Sequence, residues 1–402
     1  MAGHQAKQAH LAIAIVFAAH GAVTGSFATR VPWIQDHAGL SAGQLGLALA
    51  FPALGSLLSM PMAGAVSHRF GARRALISLL PLWTLALMLP GHAPGLLTLC
   101  AALLIFGATA GISDVVMNAI GVETESRAGR SIMSGLHGAW STGALLGSAG
   151  GTLAAHLDAD ARVHHAVAGV VLTVVGVLAA RKTLDVTPGP EAEAPPHFAL
   201  PPKSALVIGA VALCAVFAEG ASLDWSAVYL RDILDASPGL AAATTTAFAL
   251  TMAIARFAGD AVVDRLGAVR TVRYSGVLAT LGGVLVVLAV NAAVTITGFG
   301  LIGLGIAVVV PLAFNAAARS GNNAAQAIAG VATITYAAGL IAPSAIGGIA
   351  DLTSLTVSFG LVTALAAVLV VGASVMGTGG SRKAAGESAA PAAASASDEG
   401  RS

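Results

Sequence analysis

Residues 11–29 carry no charged side chain, and eleven further stretches of the chain are almost as free of charge. These lie at 45–66, 75–89, 95–121, 131–156 and 164–180, then at 205–230, 241–263, 272–290, 293–318, 324–350 and 354–376. A helix needs about 20 mainly apolar residues to cross the hydrocarbon of a bilayer, and most of the stretches have that length. Their apolar residues run on continuously, without the two-residue alternation of a barrel strand, so they are read as helices. Composition agrees. Only 10% of the 402 residues are charged and 56% are hydrophobic, whereas a soluble domain carries about 25% charged residues. The 48 glycines suit helices that approach closely in lipid. The first stretch follows a polar start containing Lys7, lacks a small-residue cleavage site and is one of many like it, so it reads as a retained span. The expectation is an all-α membrane protein of twelve transmembrane helices, with the lipid bilayer as its main partner and a monomeric state.

Several classes of chemistry are disfavoured. The formal net charge of +1 offers no overall field for nucleic acid. Cys100 and Cys214 stand alone in apolar runs, with no disulfide framework or metal spacing. No phosphate-binding Gly-Lys-Ser/Thr loop is present. The chain is therefore expected to be no enzyme and to need no cofactor or metal.

The polar connections carry a repeat. His68-Arg69-Phe70-Gly71-Ala72-Arg73-Arg74 is matched by Asp264-Arg265-Leu266-Gly267-Ala268-Val269-Arg270 at an offset of 196 residues (264 − 68). The same offset pairs Trp140 with Tyr336 and Gly143 with Gly339. Two copies of one six-span unit account for this. The proline-rich break between them divides the chain into a first bundle (1–184), a linker (185–202), a second bundle (203–377) and a Gly/Ala/Ser-rich tail (378–402). Sixteen of the 20 Lys and Arg residues fall on the side of the basic turns, and only Arg162 and Arg231 fall clearly on the other. By the positive-inside rule the basic turns and both termini are expected in the cytoplasm.

Two six-span halves, a central linker and the turn Gly64-Ala65-Val66-Ser67-His68-Arg69-Phe70-Gly71-Ala72-Arg73-Arg74 between spans two and three resemble the major facilitator superfamily. Its usual acidic residue is replaced by His68, while the second copy keeps the acid as Asp264. Arg30-Val31-Pro32-Trp33-Ile34, Ser134-Gly135-Leu136-His137-Gly138-Ala139-Trp140-Ser141 and Arg256-Phe257-Ala258-Gly259-Asp260 resemble, more narrowly, its MosC/YbjJ-like branch. The resemblance implies two pseudo-symmetric bundles that rock about a central substrate site. It implies a secondary transporter of a bacterial inner membrane that moves a small-molecule substrate, sugar- or inositol-like, by alternating access. A drug or metabolite exporter is the alternative, and a non-transporting membrane sensor is a weaker one.

Ionisable groups inside a membrane are costly, about 2.5–3.5 kcal/mol on insertion scales, and face a cavity or a partner. Glu219 is the leading candidate for coupling to protons. Ser222 and Ser226 share its helix face, and at the repeat offset Ser226 corresponds to Arg30 (226 − 196), so Glu219 and Arg30 are expected to approach across the cavity. His20 and Phe27 lie on the same stripe of span one as Arg30. Asp224 is a weaker coupling candidate. Asp114 and His137, each about 10 Å from the basic side, are on spans where they could meet as a proton-responsive pair or as a structural hydrogen bond. Asn118 lies one turn from Asp114. Trp140 and Tyr336 could stack on a flat or cyclic solute, although packing is the commoner role of such aromatics, and Asn315 could bond to it. Arg256 and Asp260 are four residues apart on one face. With Asp264, Arg265, Gly267 and the turn His68, Arg69, Gly71, Arg73 and Arg74, they are expected to latch an inner gate.

Overall fold

The computed structural model describes residues 2–129, 132–185, 203–319 and 324–377. The linker beyond residue 185 and the tail from 378 lie outside the described residues. No strand occurs among those described. The first half contains α1 (Ala2–Ala28), α2 (Val31–Ala38), α3 (Ala42–Ser59), α4 (Met62–Phe70), α5 (Ala72–Ala86), α6 (Leu96–Ala128), α7 (Met133–His156) and α8 (Ala161–Ala180). The second contains α9 (Lys203–Leu234), α10 (Pro238–Leu266), α11 (Ala268–Leu288), α12 (Ala292–Ile306), α13 (Val309–Ala318), α14 (Ala324–Leu352) and α15 (Leu355–Gly372).

Two expected spans are interrupted, both at prolines. The run at 45–66 breaks at Met60 and Pro61 into α3 and α4. Pro61 lacks an N–H and its ring crowds the carbonyl one turn earlier. The run at 293–318 breaks at Ala307 and Val308, where Pro311, four residues on, has no N–H to donate to the Ala307 carbonyl. Helix α2, a short amphipathic piece ended by Gly39 in the left-handed region (φ 63°), was not anticipated.

Eleven stretches among the described residues are long and apolar enough to cross a membrane, against the twelve expected. The difference is the run at 131–156. It forms the 24-residue helix α7, about 36 Å long, but its glycines, serines and histidines lower its hydropathy. Those residues serve packing. A Cβ on Gly143 or Gly147 would overlap the carbonyl oxygens of Ala18 and Ala22, and a Cβ on Gly21 or Gly25 would overlap those of Trp140 and Ala144. Helices α1 and α7 thus meet backbone to backbone, as small-residue seams in lipid do.

The packing repeats with the sequence. In the first bundle α1 lies on α7 and α8, and α6 on α3 and α5; in the second α9 lies on α14 and α15, and α12 on α10 and α11. The bundles meet along two symmetry-related seams, α3 with α14 and α7 with α10. At the first, Gly46 and Gly347 face one another and the Ser344 hydroxyl donates to the Gly46 carbonyl (3.2 Å). At the second, the hydroxyls of Thr152 and Thr246 are 2.8 Å apart. Gly71 and Gly267, the paired glycines of the basic turns, have φ +80° and +76° and join successive helices. A side chain is disfavoured at both, which explains why this position is glycine in each copy.

Candidate functional site

A cavity of about 1040 Å³ lies between the bundles, at the upper end of the range for small-molecule sites. Its deep wall is formed by His20, Asp114, His137, Trp140, Glu219 and Arg256. Its mouth lies toward the basic turns and is lined by Met133, Asp260, Val263, Asp264 and Asn315, residues near the corresponding ends of α7, α10 and α13.

The deep wall is organised by Arg256. One end of its guanidinium donates to Glu219 Oε1 of α9 (2.9 Å) and the other to the Ser141 hydroxyl of α7 (3.1 Å). One cation therefore ties both bundles together at the cavity floor. The Arg256 and Glu219 side chains are 26% and 30% exposed, so the pair is open to the cavity and to water.

This corrects two expectations. Glu219 does not pair with Arg30, and Arg256 does not pair with Asp260. Arg256 is ten residues from the end of α10, about 15 Å in from the gate, and Glu219 sits at the middle of α9. The two meet at mid-depth. Arg30 is 3% exposed and its guanidinium donates instead to the Ala159 carbonyl at the opposite end of the molecule. Helix α1 ends at Ala28, so Arg30 belongs to the turn that follows it.

His20 is 6% exposed and stacks on Trp83 at 5.0 Å. The Trp140 indole donates to its Nδ1 (3.4 Å), and its Nε2 lies 3.2 Å from the Ser113 hydroxyl and 3.4 Å from the Ala110 carbonyl. Asp114 and His137 share the cavity, but among the described residues no hydrogen bond joins them. His137 sets its ring edge against Phe17 (5.5 Å), and Asn118 donates to the Asp114 backbone carbonyl (2.9 Å) rather than to its carboxylate.

Several expected site residues lie elsewhere. Phe27 packs on Phe106 inside the first bundle (5.1 Å), and Ser222 is fully buried with its hydroxyl unpartnered. Asp224 and Tyr336 do not line the cavity, although Tyr336 is 55% exposed. The expected latch is open. Asp260, Asp264 and Arg265 are exposed and, among the described residues, in no ion pair. His68 and Arg74 are likewise exposed, Arg69 lies over the Phe70 ring (5.4 Å), and Arg73 pairs with Asp185, the first residue of the linker (2.9 Å).

The opposite end is closed, by a residue that sequence reasoning noted only for its charge. Arg231, at the end of α9, reaches across to α2 of the first bundle. It donates to the Pro32 carbonyl (2.7 Å), Asp36 Oδ1 (2.9 Å) and Gln35 Oε1 (2.7 Å). Beside this clasp the Ser41 hydroxyl donates to Asp351 (2.8 Å). A small pocket of about 240 Å³, lined by Arg30, Trp33, Asp36 and Arg231, remains on that side. The available signal was a polar Gln35-Asp36 pair placed between two spans.

Comparison with known proteins agrees with this architecture. The sequence model of the Major Facilitator Superfamily matches residues 13–343. The chain is 35% identical over 367 residues to the uncharacterized transporter y4wD of Sinorhizobium fredii, covering 90% of this chain and 97% of that one. It is 32% identical over 370 residues to the membrane protein MosC of Rhizobium meliloti, covering 90% and 87%. Among solved structures, a bacterial homolog of the human lysosomal transporter Spinster, in an inward-facing and unoccupied conformation, superposes with a TM-score of 0.72 at 11% identity, covering 93% and 98%. The chain belongs to the major facilitator superfamily, a family of transporters.

Proposed function

We propose that the protein is a proton-coupled secondary transporter that moves a small polar organic solute, sugar- or inositol-like in size and polarity, by alternating access. One observation carries the reading. A cavity reaches mid-depth from the end with the basic turns, while the Arg231 clasp joins the bundles at the other end. With the basic turns in the cytoplasm of a bacterium, this is an inward-facing state of an inner-membrane protein with both termini inside, and α7 serves as the twelfth span. The units 1–184 and 203–377 then rock as bodies about the site, joined by the linker 185–202.

Arg256 sits where that motion must act. Its bond to Ser141 crosses between bundles, whereas its bond to Glu219 stays within the second. Rocking breaks the first and keeps the second, so the field on Glu219 changes with conformation. A carboxylate whose neighbouring charge and hydration alternate is suited to taking a proton on one side and releasing it on the other. The polar lining from His20, Asp114, His137, Ser134 and Asn315, interleaved with Trp140, Phe257 and Phe314, fits a hydroxylated solute with an apolar face.

The test begins with a thermal-shift screen of the purified protein against small metabolites. A stabilising compound is then offered to proteoliposomes under an imposed pH gradient. Accumulation against its own gradient supports the proposal. A bound compound that is never moved by the gradient contradicts it.

A further inference from the structure

The three bonds around His20 fix where its proton is. An indole N–H only donates, so Nδ1, facing Trp140 Nε1 at 3.4 Å, must present its lone pair. The neutral ring then carries hydrogen on Nε2, which faces two acceptors, the Ser113 hydroxyl and the Ala110 carbonyl. Ser113 turns its own hydrogen to the Ala110 carbonyl (3.0 Å), leaving its lone pairs toward the histidine. The arrangement is self-consistent for neutral His20 alone. A second proton has one place to go, Nδ1, where an indole N–H already points.

The surroundings decide how that conflict is relieved. The backbones cannot separate locally, because α1 and α7 are in carbonyl-to-glycine contact at Gly21 and Gly143, on either side of the pair. The His20 ring is held by its stack on Trp83 and is 6% exposed. Trp140 is only half-buried and lines the cavity. Its indole is the part free to move.

We propose that His20 is a proton-operated catch on Trp140: a proton on Nδ1 breaks the bond to the indole, which swings into the cavity and presents its N–H to the solute. This rests on the transporter reading above and gives the solute site a second proton-responsive group besides Glu219. The ligand chemistry implied is a hydrogen-bond acceptor on a ring or chain small enough to lie beside the indole, such as a hydroxyl or ether oxygen. The charged and titratable groups that share this space are Asp114 of α6, His137 of α7, Glu219 of α9 and Arg256 of α10; the facing residue of α5, Trp83, carries no charge.

The test uses the full chain in lipid nanodiscs with Trp33, Trp83 and Trp225 changed to Phe, so that Trp140 is the only tryptophan while position 83 keeps an aromatic ring to stack on His20. Its emission is followed across the range in which histidine titrates, about pH 5 to 8. A red shift on acidification that is abolished in His20→Asn, whose side-chain oxygen keeps an acceptor near Nδ1 but takes no proton, is the expected result. The shift should survive in Asp114→Asn and His137→Gln. A shift that persists in His20→Asn, or no shift in the parent protein, overturns the proposal. Should His20→Asn not fold, nitrogen NMR of ¹⁵N-histidine-labelled protein decides. Hydrogen on His20 Nε2 at neutral pH supports the catch, and hydrogen on Nδ1 refutes it. Neither readout needs transport, so the catch can fail while the transporter reading stands, and the reverse.

Discussion

Replacing Arg231 by alanine should open the end that the structure shows closed. The guanidinium makes three hydrogen bonds to the other bundle, at 2.7, 2.9 and 2.7 Å. Bonds involving a charged group are each worth about 1.5–3 kcal/mol when well shielded. Here Arg231 is 22% exposed and Asp36 is 61% exposed, so the ion pair is largely screened. Discounting each bond to about 1 kcal/mol leaves about 3 kcal/mol holding the two bundles together. At 1.4 kcal/mol per factor of ten, the balance should move about 100-fold toward the state open at that end. A cysteine at Ala241 reports this directly, because Ala241 is 1% exposed beneath the clasp and borders the small pocket. With Cys100 and Cys214 removed, its reaction with a membrane-impermeant thiol reagent requires opening, so its rate scales with the open population. Arg231→Ala should accelerate labelling about 100-fold. Arg231→Lys should fall between, since it keeps the charge and loses the fork. Labelling unchanged from the parent rate would show that the clasp carries no weight in closure.

Glu219→Gln should abolish accumulation driven by a pH gradient while solute binding in a thermal-shift assay persists; accumulation by this variant would move the coupling role to Asp114. A cysteine at Asp264, an exposed residue of the cavity mouth, should label only from the side of the basic turns in oriented vesicles, and labelling from the other side would reverse the orientation. Gly143→Val places a side chain into the Ala18 carbonyl and should cost about 3 kcal/mol or more, read as a lowered Tm, because a backbone seam cannot yield as a soft core does. Gly71→Ala should cost about 1–3 kcal/mol from its φ of +80°, with an equal effect at Gly267→Ala, and unequal effects would deny their equivalence.

The apolar runs and the 196-residue repeat made the helical architecture and its internal symmetry legible, because length and hydrophobicity alone decide what lipid accepts. Helix α7 was legible as a long helix from the chain pattern although its hydropathy is marginal, since its glycines answer to the α1 backbone. The cavity residues His20, Asp114, His137, Trp140 and Glu219 were also legible, because an ionisable or polar side chain inside a span stands out against its background. Their partners were not. Placing Glu219 opposite Arg30 assumed that a sequence offset fixes depth and facing. Helix α9 runs further than its apolar core, and Arg30 lies past the end of α1. Arg256 was assigned to the gate by its proximity to Asp260, yet its long side chain reaches inward to Glu219 and across to Ser141. The Arg231 clasp depends on contact between residues almost 200 positions apart, which no local pattern encodes.

Alternating access is the central claim, and pulsed electron paramagnetic resonance tests it without knowledge of the substrate. Spin labels at His37 and Ile233 span the two bundles at the clasped end, and labels at Arg127 and Arg265 span them at the basic end; all four positions are exposed. The account predicts two populations with opposed distances, short at the clasped end with long at the basic end, and the reverse, the second enriched by Arg231→Ala. A single distance at each end that the variant leaves unmoved, or two ends that widen together, would contradict it.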